Sequence, residues 1–178
     1  SKWTKPEGYV GDVVNQARIV KSNGDVATVP QSYFRFGYDT SVLQKTGDVV
    51  ISVVFALKRD NKARLWDIAN RSIGYRRASQ PQGIKSPGCT FKNISKAQAL
   101  AIPTPNHTTS AGFLIDHAGL KGKTIGGAQI SPVHANFIVN LGTATARDVI
   151  QLIELSKSEV KRQFGVELDE EIVRVGEF

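Results

Sequence analysis

Between Gly47 and Lys58 the chain carries Val49, Val50, Ile51, Val53, Val54, Phe55 and Leu57, a β-branched and aromatic run that reads as a long, largely buried third strand. Two strands are expected before it. Val10 to Lys21 alternates imperfectly, and Asn23-Gly24 follows at once, so an antiparallel hairpin with strands at about 12–20 and 25–29 is predicted. Pro30 opens a short helical turn.

After this sheet the pattern turns helical. Asp60 or Asn61 caps a helix carrying Ala63, Leu65, Trp66, Ile68, Ala69 and Ile73, and the prolines and glycines from Pro81 to Gly88 mark a boundary. Ser95–Ala101 reads as a short helix, and 103–107 as a loop. Ser110 is a good N-cap for a helix over Ala111–Ala118 that stops at Gly119 and delivers Lys121 just past its end. Gly126-Gly127 suits a close backbone approach, and Ala135–Asn140 reads as a strand. Thr143 or Thr145 begins the longest helix, Gly165 closes it, and Val166–Val175 is expected to form a final strand. Strands alternating with helices, with at least one hairpin among them, argue for an α+β fold and against a doubly wound parallel sheet.

Composition excludes several classes. A chain of 178 residues with 40% hydrophobic content suits one or two compact domains, and no apolar run approaches the length of a membrane span. One cysteine makes neither an internal disulfide nor a zinc site, which agrees with a cytoplasmic location. No methionine occurs, even at position 1, so the chain is expected to lack its natural N-terminus. The formal charge of +7 invites a polyanionic partner, but the basic residues are scattered apart from Arg71, Arg76 and Arg77, and Lys157, Lys161 and Arg162. A solvated basic surface is the plainer reading, a phosphate-bearing small ligand comes next, and nucleic acid last.

The chemistry concentrates in Ser86-Pro87-Gly88-Cys89-Thr90-Phe91-Lys92-Asn93, where the only thiol stands beside an amine and a carboxamide after a chain break that favours close ligand approach. Downstream come Ala111-Gly112-Phe113-Leu114-Ile115, Ala118-Gly119-Leu120-Lys121-Gly122, Gly126-Gly127-Ala128 and His134-Ala135-Asn136-Phe137-Ile138-Val139-Asn140, then Phe164-Gly165-Val166, Leu168, Glu171 and Gly176. In this order and spacing the chain resembles the UDP-N-acetylenolpyruvoylglucosamine reductase family, also called UDP-N-acetylmuramate dehydrogenases, flavoenzymes of peptidoglycan precursor synthesis.

The resemblance implies FAD and NADPH as cofactors and UDP-N-acetylglucosamine enolpyruvate as substrate. It implies that residues 1–79 are the rear half of a flavin-binding α+β domain, that 80–170 form a smaller α+β substrate domain, and that 171–178 return to the flavin part. The flavin-cradling N-terminal segment of the family would then precede residue 1, and would be needed as a partner.

Cys89 stands where the family commonly has a proton-donating serine; a thiol is mostly protonated at neutral pH and is the stronger acid, so the exchange is chemically sound. Glu171 matches the C-terminal catalytic glutamate, although a shift of one residue would move that role to Glu170. The resemblance places Asn93 near the substrate, Lys121 on the diphosphate, and His134 and Asn136 at the nucleotide or sugar; Tyr38 and Ser41 match pocket residues. Arg76 is the candidate cofactor-binding cation. Two departures stand out: Asp39 replaces an arginine that activates the substrate carboxylate, so that Arg35, Arg76 or Arg77 must serve if the activity is kept, and Ser79 replaces a lysine. A catalytically silent UDP-sugar binding module is the alternative.

Overall fold

A computed structural model describes residues 9–38 and 40–176. These residues divide into two compact units, with the boundary between Leu65 and Trp66. The fold is α+β, as the alternation of elements predicts.

In the first unit a short helical turn α1 (Val10–Val13) leads into β1 (Val14–Val20), β2 (Val26–Pro30), a 3-10 turn (Gln31–Phe34), the single turn α2 (Leu43–Thr46) and β3 (Val49–Phe55). The three strands form an antiparallel sheet in the order β2-β1-β3. The Asn23-Gly24 hairpin is present: Asn23 Oδ1 accepts from the Asp25 N–H at 3.1 Å, and Gly24 takes a positive φ of 89° that this turn requires. The first strand starts two residues later than expected, because the Tyr9 N–H donates to the Asp12 carboxylate at 2.7 Å and winds the preceding residues into α1. Ala17, Ile19, Val29 and Phe34 make a small core.

The expectation of a buried third strand is wrong. Every residue of β3 is exposed, including Val50 and Val53 opposite Ile19 and Ala17 of β1, Val49 and Val54 opposite Val20 and Gln16, and Ile51 at a break in the register. The strand's apolar character therefore finds no cover among the described residues.

Helix α3 (Lys62–Ser79) carries the chain from the first unit to the second, its N-terminus capped by Asn61 Oδ1, which accepts from the Arg64 N–H at 3.1 Å. It buries no residue. Then follow α4 (Lys96–Leu100), a 3-10 turn at Pro105–His107 in the expected loop, α5 (Ala111–His117), β4 (Thr124–Ile125), β5 (Ala128–Ile130), β6 (Ile138–Asn140) and α6 (Ala146–Phe164). The predicted Ser110 cap on α5 is in place, and of the two threonines offered it is Thr145, with Asp148, that caps α6, which ends at Gly165 with a φ of 70°; Ser95 with Gln98 caps α4.

The core of the second unit joins Phe91, Leu114 and Ile115 of the loop and α5 to Ile130 and Ile138 of the small β4-β5-β6 sheet and to Leu152, Ile153 and Val160 of α6. Full burial of each such side chain contributes about 1.5–3 kcal/mol, which makes this the main source of stability. Gly126 and Gly127 allow α6 to approach the sheet. A Cβ on Gly126 would lie 2.4 Å from the Asp148 carboxylate, and one on Gly127 would lie 2.4 Å from the backbone of Thr143 and Ala144.

Two strand expectations shrink. Of the Ala135–Asn140 segment only β6 is extended, since the Phe137 N–H turns back to the His134 carbonyl at 3.0 Å. The expected final strand over Val166–Val175 reduces to one bridge between Phe91 and Glu170, with Val173 and Val175 more than four-fifths exposed.

Candidate active site

The sequence around Cys89 is extended because it has ladder partners on both sides. On one side Cys89 forms an antiparallel bridge with Phe137, and the Thr90 N–H donates to the Asn136 carbonyl at 2.7 Å. On the other, Phe91 bridges Glu170, the Lys92 N–H donates to the Asp169 carbonyl at 2.8 Å, and the Glu171 N–H donates to the Thr90 carbonyl at 2.9 Å. Glu171 is thereby held beside Thr90, one residue from the thiol. Gly88 precedes Cys89 with a φ of 92°, a conformation that costs glycine nothing and that other residues rarely adopt.

Cys89 is half-buried. Burial raises its pKa from the ordinary thiol value, the negative charge of Glu171 raises it further, and the positive charge of Arg76 opposes both. The thiol is therefore held protonated at neutral pH, in the state that can give up a proton.

Glu170 faces other partners. Lys157 Nζ lies 2.5 Å from its carboxylate and Arg174 Nη2 2.7 Å, while Arg174 also reaches Glu154 at 2.9 Å. Burial pushes the Glu170 pKa up, and the hydrogen bonds from Arg174 and Lys157 outweigh it, so the net shift is downward. Glu170 thus ties α6 to the C-terminal segment, and of the two neighbouring acids it is Glu171 whose charge acts on the thiol.

Asn136 is buried, and its amide spans the backbone of Phe91: Oδ1 accepts from the Phe91 N–H at 2.9 Å and Nδ2 donates to the Phe91 carbonyl at 2.8 Å. Its geometry serves the Cys89 loop, a use its place in a motif does not reveal. His134 is half-buried, packs edge-on against Phe137 and lies over Gly112, where a Cβ would come within 2.8 Å of its ring. Its Nδ1 accepts from the Asn136 N–H at 3.2 Å, so the neutral ring carries its proton on Nε2. Burial lowers the His134 pKa, its own backbone hydrogen bond partly opposes the fall, and the charge of Lys121 adds to it. Gly112, which gives the ring its seat, carried no separate signal in the sequence.

Lys121 follows α5 as expected, but its amine is paired with Asp116 at 2.9 Å. Asn93 caps α5 through Oδ1, which accepts from the Ala111 N–H at 3.3 Å. Arg76 lies at the end of α3 and lines a cavity of about 400 Å³ with Arg77, Ser86, Gly88 and Phe137. Tyr38 and Ser41 belong to the first unit; Tyr38 is exposed, and the Ser41 N–H donates to Gln44 Oε1 at 2.7 Å. Asp39 lies outside the described residues.

The family model for the UDP-N-acetylenolpyruvoylglucosamine reductase C-terminal domain matches residues 80–175. The chain belongs to this family. It is 39% identical over 165 residues to UDP-N-acetylenolpyruvoylglucosamine reductase 2 of Symbiobacterium thermophilum, covering 93% of this chain and 50% of the relative. It is 40% identical over 160 residues to UDP-N-acetylenolpyruvoylglucosamine reductase of Chlamydia abortus, covering 90% of this chain and 49% of the relative. The crystal structure of UDP-N-acetylenolpyruvylglucosamine reductase from Thermus caldophilus superposes with a TM-score of 0.71 at 34% identity, over 90% of this chain and 52% of that one. The chain spans about half the length of the relatives it matches.

The resemblance implies FAD, and Arg76, the residue expected to meet it, lines the cavity at the end of α3. Among the described residues no helix is long and apolar enough to cross a membrane, and no group of acidic, histidine and cysteine side chains could hold a metal.

Proposed function

We propose that this chain is the substrate-binding and proton-donating part of a cytoplasmic, FAD- and NADPH-dependent reductase that converts UDP-N-acetylglucosamine enolpyruvate to UDP-N-acetylmuramate in peptidoglycan precursor synthesis. The observation that supports it most is the ladder that brings Cys89 and Glu171 from distant parts of the sequence to neighbouring positions. On this reading residues 1–79 belong to the flavin-binding part, 80–170 bind the UDP-sugar, and 171–178 return to the flavin part.

In reduction of an enolpyruvyl double bond, one carbon receives a hydride and the other a proton, and the described residues serve the proton. A neutral thiol at Cys89 gives its proton to the alkene carbon, and the thiolate left behind is re-protonated from solvent. The positive field of Arg76 favours that transient thiolate, and Glu171 opposes it, so the pair sets how readily the proton leaves. Glu171, held beside Thr90, is the acid that stabilises or protonates the reduced intermediate on this reading. Asn93 and His134 provide hydrogen-bonding groups for the sugar nucleotide. Lys121 takes the diphosphate by exchanging Asp116 for a stronger anion.

Asp39, in the place of an arginine, favours the second reading, a UDP-sugar binding module without catalysis. The deciding experiment supplies the flavin-binding half of a relative to this chain and follows NADPH oxidation with and without the enolpyruvyl sugar. Oxidation that depends on the sugar supports the reductase; sugar binding with no dependent oxidation leaves the module.

A further inference from the structure

Four side chains of alternating charge join α6 to the C-terminal segment. Lys157 Nζ lies 2.5 Å from the Glu170 carboxylate, Arg174 Nη2 lies 2.7 Å from it, and the same guanidinium reaches Glu154 at 2.9 Å. The pair of Arg174 with Glu170 closes a loop over 170–174, while Glu154 and Lys157 pin that loop to the helix. The Glu170 side chain is only 17% exposed, so its bonds are shielded and charge-assisted, unlike those of a solvated surface pair. The backbone holds the loop more lightly. Among the described residues its last backbone bond to another strand runs from the Glu171 N–H to the Thr90 carbonyl, and beyond it Val173 and Val175 are exposed.

We propose that Glu154, Lys157, Glu170 and Arg174 form a clamp that positions Glu171 beside Cys89. Glu171 lies inside the closed loop, one residue after Glu170, so its place is set from α6 as well as from Thr90. Lys157 and Arg174 are thus positioning residues, which act through Glu171. The placement stands on the ion network; only the role of Glu171 as a catalytic acid rests on the function proposed above.

Because Cys89 is the only cysteine of the chain, its titration reads the clamp in the 178-residue chain itself. Two charges act on the thiol: Glu171 raises its pKa and Arg76 lowers it. The pH dependence of alkylation by uncharged iodoacetamide, in which the thiolate sulfur displaces iodide, measures that pKa. Arg174→Gln is expected to lower it and to speed alkylation at neutral pH about two- to fivefold, because the released Glu171 takes its negative charge away from the sulfur. A direct field effect has the opposite sign, since deleting a positive charge makes the thiolate harder to form. Lys157→Gln should act in the same direction as Arg174→Gln, and Arg174→Lys should stay near the parent. Lys161→Gln, which breaks the exposed pair with Glu167, should change nothing. In a Glu171→Gln background, Arg174→Gln should no longer shift the thiol. A thiol pKa that rises or stays put in Arg174→Gln, or a fall that persists once the Glu171 charge is gone, overturns the proposal. In the complemented enzyme Arg174→Gln should slow reduction of the sugar and spare flavin reduction by NADPH. A chain that shows the thiol shift but no sugar-dependent NADPH oxidation keeps the clamp and loses the reductase.

Discussion

The Glu171 N–H donates to the Thr90 carbonyl at 2.9 Å, which fixes an acid from the end of the sequence against the residue that follows the thiol. Because the bond is between backbone groups, it survives substitution of either side chain. Side-chain chemistry at Cys89 and Glu171 can therefore be changed without moving the ladder.

In the complemented enzyme, Cys89→Ala is expected to lower turnover by about a hundredfold to ten-thousandfold, the usual range for a lost general acid. Cys89→Ser should restore part of it. Stopped-flow measurement of flavin reduction by NADPH should be unaffected by either change, because the thiol acts only on the alkene. Equal loss in both half-reactions would place Cys89 in a structural role.

Asn136→Ala removes two buried bonds and leaves the Phe91 N–H and carbonyl without partners. A loss of about 2–4 kcal/mol in urea unfolding is expected. The variant should also alkylate faster at Cys89, since the loop loses its clamp. Loss of UDP-sugar binding at full stability would instead make Asn136 a ligand contact.

Gly127→Ala brings a methyl group to 2.4 Å of the backbone of Thr143 and Ala144, which cannot rotate out of the way as a side chain could. The start of α6 must shift, at a cost of about 1–3 kcal/mol. Thermal unfolding measures it, and Gly74→Ala, in open space on α3, is the control.

The places where sequence reasoning succeeded and failed have a common physical cause. Caps and tight turns are local, so Asn23-Gly24, Ser110 and Gly165 announced their conformations through side-chain and φ preferences that hold in any context, and the start of α6 was narrowed to Thr143 or Thr145. Burial is not local: β3 has the composition of an interior strand, yet the described residues do not cover it. The Cys89 and Glu171 pairing lay between these cases. Motif order suggested that they meet, but the hydrogen bonds that join Thr90, Asn136 and Glu171 use backbone groups that every residue owns, so no residue type signalled them. The cavity at Arg76 was equally hidden, because paired arginines at a helix end also read as a complement to its dipole.

The Asp148 carboxyl is held below the ordinary carboxylate range by the Thr145 and Gly127 N–H groups, with burial opposing and the Thr145 hydroxyl adding. A depressed folded pKa contributes stability that is fully present above the unfolded value and is lost as pH falls through the folded one. Melting temperature should thus drop on the acid side, and Asp148→Asn should flatten that limb while lowering the plateau near neutrality. An unchanged acid limb would mean that other carboxylates, such as Glu170, dominate it.

Titration of the isolated chain with FAD should give weak binding or none, since the chain spans about half the length of the relatives it matches. Flavin fluorescence quenching is the measurement. Stoichiometric yellow protein at micromolar FAD would contradict this.

The uncovered third strand has a practical consequence for anyone preparing the protein. Among the described residues it pairs on one side only, with β1, and offers valine, isoleucine and phenylalanine from both surfaces of the ribbon. Such a margin invites a neighbouring copy to add to it, one chain after another. Handled without a covering partner, the polypeptide should cloud on concentration, and a lysine at Ile51 should keep it clear.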